Sequence, residues 1–370
     1  MCGLPRCPIV SRFHAQVAAK PESSYQGISP SIFIGSFGYP DVRGGPLLIN
    51  DTDNPPEWIR NNLGMEEIVG IRARTIRGNA GLYKIGGNLQ EIALSSLPLD
   101  VDIAFEKPIE FSLTFDGTIA PVGFSGAVKT MDLVGSAKVG RAVDRITSDT
   151  DIVATDAAIA LNSDGVDVYQ IAQLMTAGLL GKRRKFVPTR WAITAVDDTL
   201  SSGLKKEIAR FPPLEEIIVF SGEIYGNRIV AILLPGDWKY EMIEVWGRHT
   251  LWAGDDEVIV QDREGMTKHG YSPISGAYYS ARLAVCEYLK SIRRSARVIV
   301  IRTISSDYWA PLGTWVIREA ARKAMSFPPV RCESLDAAVS RAVVLCGSDR
   351  WVPYSTLIPE LRTQRMLFSF

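Results

Sequence analysis

The 370-residue chain has no apolar run approaching the roughly 18 to 20 residues that a membrane-spanning helix needs. Its first residues, MCGLPRCPIVSRFH, lack the long apolar region of a secretory signal, so the protein is expected inside the cell. Cysteine is scarce. The five thiols, Cys2, Cys7, Cys286, Cys332 and Cys346, are odd in number and scattered, which argues against a disulfide framework and fits reduced thiols or a metal site. Net charge is absent too: 41 Lys and Arg balance 41 Asp and Glu, so any surface that attracts a polyanion must be local. None of the three histidines sits in an HExxH motif, and there is no GxSxG, no Walker loop and no GxGxxG after a strand. Zinc-peptidase chemistry, nucleophilic hydrolysis and the familiar nucleotide folds therefore have no support. Repeats and coiled-coil heptads are missing as well.

What is present is enough apolar residue, 46%, to bury a large core, and a length that suits two lobes. The first thirty residues show neither helical nor strand period and are expected to form an irregular, Cys-containing arm. SPSIFIGSFGYPDVRGGPLLI suggests short strands around sharp turns, either a pair of hairpin turns or a ligand cradle. Asn54-Pro55-Pro56 opens a short helix, GMEEIVGIRARTI and LQEIALSS continue in helical spacing, and residues 101–118 alternate as a strand. Thr150–Asn162 and Val166–Leu180 read as helices. In the second half EEIIVFSGEIYG and NRIVAILLP read as a hairpin turning at Gly226-Asn227, followed by EMIEVWG and DDEVIVQDREG as further antiparallel strands. GAYYSARLAVCEYLKSIRR is an amphipathic helix, RVIVIRTI a buried strand, and TWVIREAARKAM and SLDAAVSRAVV are helices. The expected class is α+β, a mixed or largely antiparallel sheet packed with helices. The expected divisions are an arm over 1–30, lobes over 31–185 and 186–355, and a tail over 356–370.

Four groups of residues carry possible chemistry. Cys2 and Cys7, with His14 seven residues on, are ligand types that suit zinc; they amount to three of the four ligands of a closed site, with Cys332 or Cys346 as candidates to complete it, or they are simply free thiols. KFVPTRWAITAVDDTL reads as a short strand delivering Asp197 and Asp198, with a helix cap as the plainer role. Glu241, Glu244, Asp262 and Glu264 lie near ends of expected strands, with Arg282 on the next helix. Gathered together they would hold Mg²⁺ or Mn²⁺ for phosphodiester chemistry, or else serve as salt-bridge partners for Arg282, Arg302, Arg318 and Arg322. Finally Lys182, Arg183, Arg184 and Lys185 follow a helix end, and Arg72 and Arg74 lie on a cationic helix face. These cations either complement helix dipoles or form a DNA-phosphate surface. Tyr278 and Tyr279, beside Arg282, would stack on bases or pack in the core.

The tail TQRMLFSF holds Gln364-x-x-Leu367-x-x-Phe370, with Phe368 between the last two. The three-residue spacing brings these side chains to one side of a turn, an apolar plug with an amide beside it. This resembles the box with which proteins dock on a sliding clamp; the alternative is a tail packed on its own body.

With the tail, MCGLPRCPIV, SPSIFIGSFGYPDVRGGPL, KFVPTRWAITAVDD, GAYYSARLAVCEYL and PLGTWVIREAARKA resemble the archaeal Nre family of DNA repair proteins over almost the whole chain. The resemblance implies a part in DNA-damage repair, near the nucleoid of an archaeal cytoplasm. It also implies docking of the terminal box on the clamp PCNA and, in many members, a zinc-finger-like Cys cluster near the N-terminus. Cys2 and Cys7 match the second pair of that cluster, and the first pair would lie before Met1. No catalytic assignment follows from the family. A metal-dependent nuclease, a nucleotide- or NAD-using transferase of ADP-ribosyltransferase type, and a non-catalytic scaffold are the alternative readings.

Overall fold

The computed structural model describes residues 7–17, 22–109 and 123–367, apart from the side chains of 12, 13, 15, 17 and 364–367. The chain divides into two compact units, one formed by Pro8–Leu200 and the other built on Ser201–Phe370. Among the described residues, no helix is long and apolar enough to cross a membrane.

The first unit runs α1 (Pro8–Val17), β1 (Glu22–Ser29), β2 (Ser31–Ile34), β3 (Arg43–Leu48), α2 (Pro55–Arg60), α3 (Met65–Arg74), β4 (Ile76–Gly81), α4 (Leu82–Leu94), β5 (Leu99–Ile109), β6 (Ser125–Val134), α5 (Arg141–Ser148), α6 (Ala154–Ser163) and α7 (Val168–Thr176), and ends within α8 (Thr189–Ile208). Its strands form one mixed sheet in the order β1-β5-β6-β4-β3-β2, in which β4 and β6 are the parallel neighbours. α1 and β1 occupy the segment expected to be irregular. Pro8 suits a first helical turn, where a missing N–H costs nothing. β1 is an edge strand with two buried residues in eight, so its sequence carries little alternation to read.

A second correction concerns Asp197 and Asp198. They lie within α8, not at the end of a strand. Ala192, Val196, Leu200, Leu204 and Ile208 are all buried at four-residue spacing, and this stripe prevails over the β-branched residues that make WAITAV look extended.

The second unit continues with β7 (Ile217–Ile224), β8 (Asn227–Leu234), β9 (Lys239–Trp246), β10 (Val258–Glu264), α9 (Gly276–Ile292), β11 (Arg297–Ile304), α10 (Trp315–Ser326), β12 (Val330–Cys332), α11 (Leu335–Cys346), a 3-10 turn over Val352–Tyr354, and α12 (Leu357–Leu367). The sheet order is β10-β9-β11-β8-β7-β12, with β9 and β11 parallel and the remaining pairs antiparallel. Both units are thus mixed sheets packed with helices, the α+β class expected. The β7–β8 hairpin turns at Tyr225 and Gly226, both with positive φ, the backbone that matches strand twist in a two-residue loop.

Helices cover both faces of this second sheet, which explains the nearly unbroken burial of β8, β9 and β11. On one face α10 approaches β7 so closely at Gly222 that a Cβ there would lie 2.6 Å from the Ala324 nitrogen. On the other, Val230, Ile232, Ile243 and Ile301 form a core with Leu335 and Val339 of α11 and with Leu357, Ile358 and Leu361 of α12. Burying each of the α12 side chains contributes about 1.5–3 kcal/mol before ordering costs.

Candidate functional site

β9 and β10 place the acidic residues of the second unit by their register. Asp262 pairs with Met242 and Glu264 with Tyr240, so Asp262, Glu264 and Glu244 point to one face of the sheet while Glu241 points to the other. Where β9 begins and β10 ends, at this edge of the sheet, a cleft of about 400 Å³ opens, and its lining includes Lys239, Glu241, Asp262, Glu264, Lys268 and His269. Part of the expected acidic group therefore does come together. Its chemistry depends on what each carboxylate already holds.

Glu264 is fully buried. It accepts from Arg282 Nη1 at 2.5 Å and from Lys205 Nζ at 2.7 Å. The same guanidinium donates to Ser201 Oγ through Nε and Nη2, at 3.0 and 2.9 Å, and lies over the rings of Tyr279 and Tyr278. Asp262 pairs with Lys268 Nζ at 2.7 Å. Burial, with the Glu264 carboxylate nearby, pushes the Tyr278 phenol far above its ordinary range; burial also raises Tyr240 well above its own, so both rings remain neutral. Tyr278 and Tyr279 are enclosed and meet edge to face at 5.4 Å, so they pack rather than offer faces to bases.

Glu241, fully buried, holds the start of α12. Its carboxylate accepts from Ser355 Oγ at 2.5 Å, from the Thr356 amide at 2.7 Å and hydroxyl at 2.8 Å, and from Gln261 Nε2 at 2.7 Å. An anion placed among the unpaired amides of a first helical turn is favourable through both hydrogen bonding and the helix dipole. At the far end of β9, Glu244 pairs with Arg302, its register neighbour on β11, and accepts from Trp246 Nε1 at 3.0 Å. Among the described residues, no three His, Cys, Asp or Glu side chains gather to hold a metal ion. The acidic residues here are engaged by protein donors, Glu264, Glu241 and Glu244 by several each.

Cys2 lies outside the described residues, Cys7 is half-buried and His14 is exposed on α1. No described cysteine (Cys7, Cys286, Cys332 or Cys346) is in a disulfide. Burial pushes the Cys346 thiol up to about 12 and raises Cys332 as well, and both pack against the α11–α12 core.

In the first unit, Arg72 lies over the Trp58 ring at 5.2 Å with Asp53 3.7 Å away, and Arg74 approaches Asp51 at 3.9 Å. Arg184 turns back to donate to the carbonyls of Gly181 and Asp149 at 2.9 and 2.8 Å, fixing the loop, while Lys182, Arg183 and Lys185 are exposed. Asp197 is buried and Asp198 half-buried on α8. Of the residues expected to form a clamp-binding box, Gln364 and Leu367 have helical backbone in α12 but side chains outside the described residues, and Phe368 and Phe370 lie wholly outside them.

The partners Lys205, Ser201, Lys268, Ser355 and Thr356 escape sequence reasoning. Lys205, Ser201, Ser355 and Thr356 meet their acid or arginine across a long sequence separation, Lys268 meets Asp262 around the end of β10, and none stands in a motif; the Ser-Thr pair before LIPEL, a helix-cap signal, is the one local hint.

Residues 1–253 match the family description Archaeal Nre, N-terminal, and residues 263–370 match Archaeal Nre, C-terminal. The chain is 36% identical to DNA repair protein NreB of Archaeoglobus fulgidus, covering all of this chain and 97% of that one. It is 33% identical to DNA repair protein NreA of the same organism, over 95% of this chain and 93% of the relative. Identity to DNA repair protein NreA of Haloferax volcanii is 33%, over 86% and 82%. No solved structure matches it. Two family matches that between them span nearly all of the sequence, with relatives aligned along most of their length, place the chain in the archaeal Nre family.

Proposed function

We propose that this protein acts in DNA repair and is brought to DNA by the PCNA sliding clamp, which engages Gln364, Leu367, Phe368 and Phe370. The relatives' shared name, DNA repair protein, supports the first part. The observation that carries the second is where burial ends along α12. Leu357, Ile358 and Leu361 are buried and Glu241 fixes the helix start, yet Arg362 and Thr363 are already exposed, and the box begins at the next residue. A helix anchored at its start can present the residues at its far end to a partner while the body stays folded. Such a hook, even a weak one, holds the body near DNA at high effective concentration, and a ring of several subunits offers more than one pocket. Lys182, Arg183 and Lys185 then serve as phosphate contacts in the first unit.

Calorimetric titration with PCNA from the same organism tests the reading. The intact chain is expected to bind, and Leu367→Ala combined with Phe370→Ala is expected to abolish the heat while leaving the melting temperature unchanged. Undiminished binding by that variant, or a large fall in its melting temperature, would overturn the proposal.

A further inference from the structure

We propose that one end of the first unit's sheet is a docking surface for single-stranded DNA. Among the described residues of that unit, the large aromatics left in water are Phe37, Tyr39, Tyr83 and Trp191, at 97, 45, 88 and 49% exposure. The topology brings all four to one place. β2 ends at Ile34 opposite Gly44, and β3 begins at Arg43 opposite Gly81, the last residue of β4. The loop 35–42, with Phe37 and Tyr39, and the first turn of α4, with Tyr83, therefore emerge from the same sheet end. The Ile34 amide donates to Thr189 Oγ1 at 2.8 Å, which seats the first turn of α8 there, and the Trp191 ring lies 5.1 Å from that of Tyr39.

The platform is held in place. Gly35 N donates to the Arg43 carbonyl at 3.0 Å and Asp41 N to the Gly38 carbonyl at 2.9 Å, with Gly38 at φ +78°. The Tyr83 ring rests on Gly81, where a Cβ would come within 2.5 Å of it.

Cations border these rings. Arg43, Lys84, Lys185 and Arg190 are all exposed, and Phe186, against Gly86 one turn after Tyr83, brings Lys185 alongside. No carboxylate among the described residues forms an ion pair with any of the four; Arg43 donates to the side-chain and backbone oxygens of Asn79. The loop itself carries one acid, Asp41.

Grouped aromatic rings in water mark a contact surface, and unpaired cations around them select a polyanion. A polyanion that also offers flat apolar faces is a single-stranded nucleic acid, whose bases stack on rings while its phosphates meet Lys and Arg. A duplex keeps its bases stacked on one another and would leave these rings unused. The choice of DNA over RNA rests on the proposed repair role; the choice of a single strand does not.

Fluorescence anisotropy with labelled oligodeoxythymidine, oligouridine and a duplex of equal length tests this on the intact chain. The expected results are tighter binding of oligodeoxythymidine than of either competitor, and a loss of about tenfold or more in Phe37→Ala/Tyr83→Ala. Lys84→Gln/Arg190→Gln is expected to lessen the salt dependence. Because all four side chains are exposed, melting temperature and PCNA titration should stay unchanged. Equal affinity for duplex, or unchanged affinity in the aromatic variant, overturns the inference while clamp docking stands. Equal affinity for oligouridine overturns the assignment to DNA. Loss of PCNA binding in the aromatic variant would make the surface a protein contact and overturn the inference as well.

Discussion

The Glu241 carboxylate and the Thr356 amide, 115 residues apart in sequence, are 2.7 Å apart in the fold. Through this contact β9 fixes the start of α12. The same carboxylate accepts from Ser355, and Ser355 Oγ in turn accepts from the Ile358 amide at 3.2 Å. One buried anion therefore organises the first turn of α12.

Glu241→Gln keeps the shape but turns part of an acceptor into a donor facing other donors. Denaturant titration should show a loss of about 1.5–3 kcal/mol, the range for hydrogen bonds to a charged group. Hydrogen exchange should accelerate selectively at the amides of residues 357–363. Equal stability of Glu241→Gln and the native chain would mean that the carboxylate does not hold the helix.

Arg282 and Glu264 are both fully buried. Arg282→Met leaves Glu264 with Lys205 as its cation and takes the guanidinium from Ser201. The expected loss is about 3–5 kcal/mol, the cost of breaking a buried pair from one side. A double-mutant cycle of Arg282→Met with Glu264→Gln should reveal strong coupling, because the two side chains are in direct contact and the second substitution removes the carboxylate that the first deprives of one of its two cations. Additive losses would argue against the pair as the organising contact.

Burial pushes the Cys286 thiol from 9.0 up to about 12, even though Arg282 and Lys205 act in the opposite direction. The neutral form is thus favoured in the folded state. Below pH 9 both states keep the proton and stability is unaffected. Between pH 9 and 12 the unfolded chain loses it while the folded chain retains it, so stability falls as pH rises, by about 1.4 kcal/mol per pH unit from this group. Cys286→Ala should flatten the alkaline limb of a stability–pH curve by about that slope, and iodoacetamide should label Cys286 only after unfolding. Rapid labelling of the folded chain at pH 8 would contradict the shift.

Much of the fold is legible in the sequence because it is written in neighbours. The hairpin turning around Gly226, the β-branched run RVIVIRTI and the helix through Leu283, Cys286 and Leu289 all stand where local pattern puts them, though that helix is buried on every side from Gly276 to Cys286 rather than along one stripe. Local pattern misleads at TRWAITAVDD, where β-branched residues imitate a strand and the buried four-residue stripe from Ala192 to Ile208 decides for a helix. It is silent at β1, whose single neighbouring strand leaves most of its side chains in water.

The sequence by itself determined the class of the fold, its chief helices and strands and the family, because each depends on residue spacing within a few positions or on matching blocks of sequence. Only the tertiary structure decided what the acidic residues do. Side chains alternate across a strand, and β10 meets β9 in the register that sets Asp262 opposite Met242, so Glu241 faces the core beneath α12 while Glu264 meets Arg282 on the far side. A shift of one residue would exchange those faces. No local pattern records such a choice, because it is made by whole layers competing to bury their apolar sides.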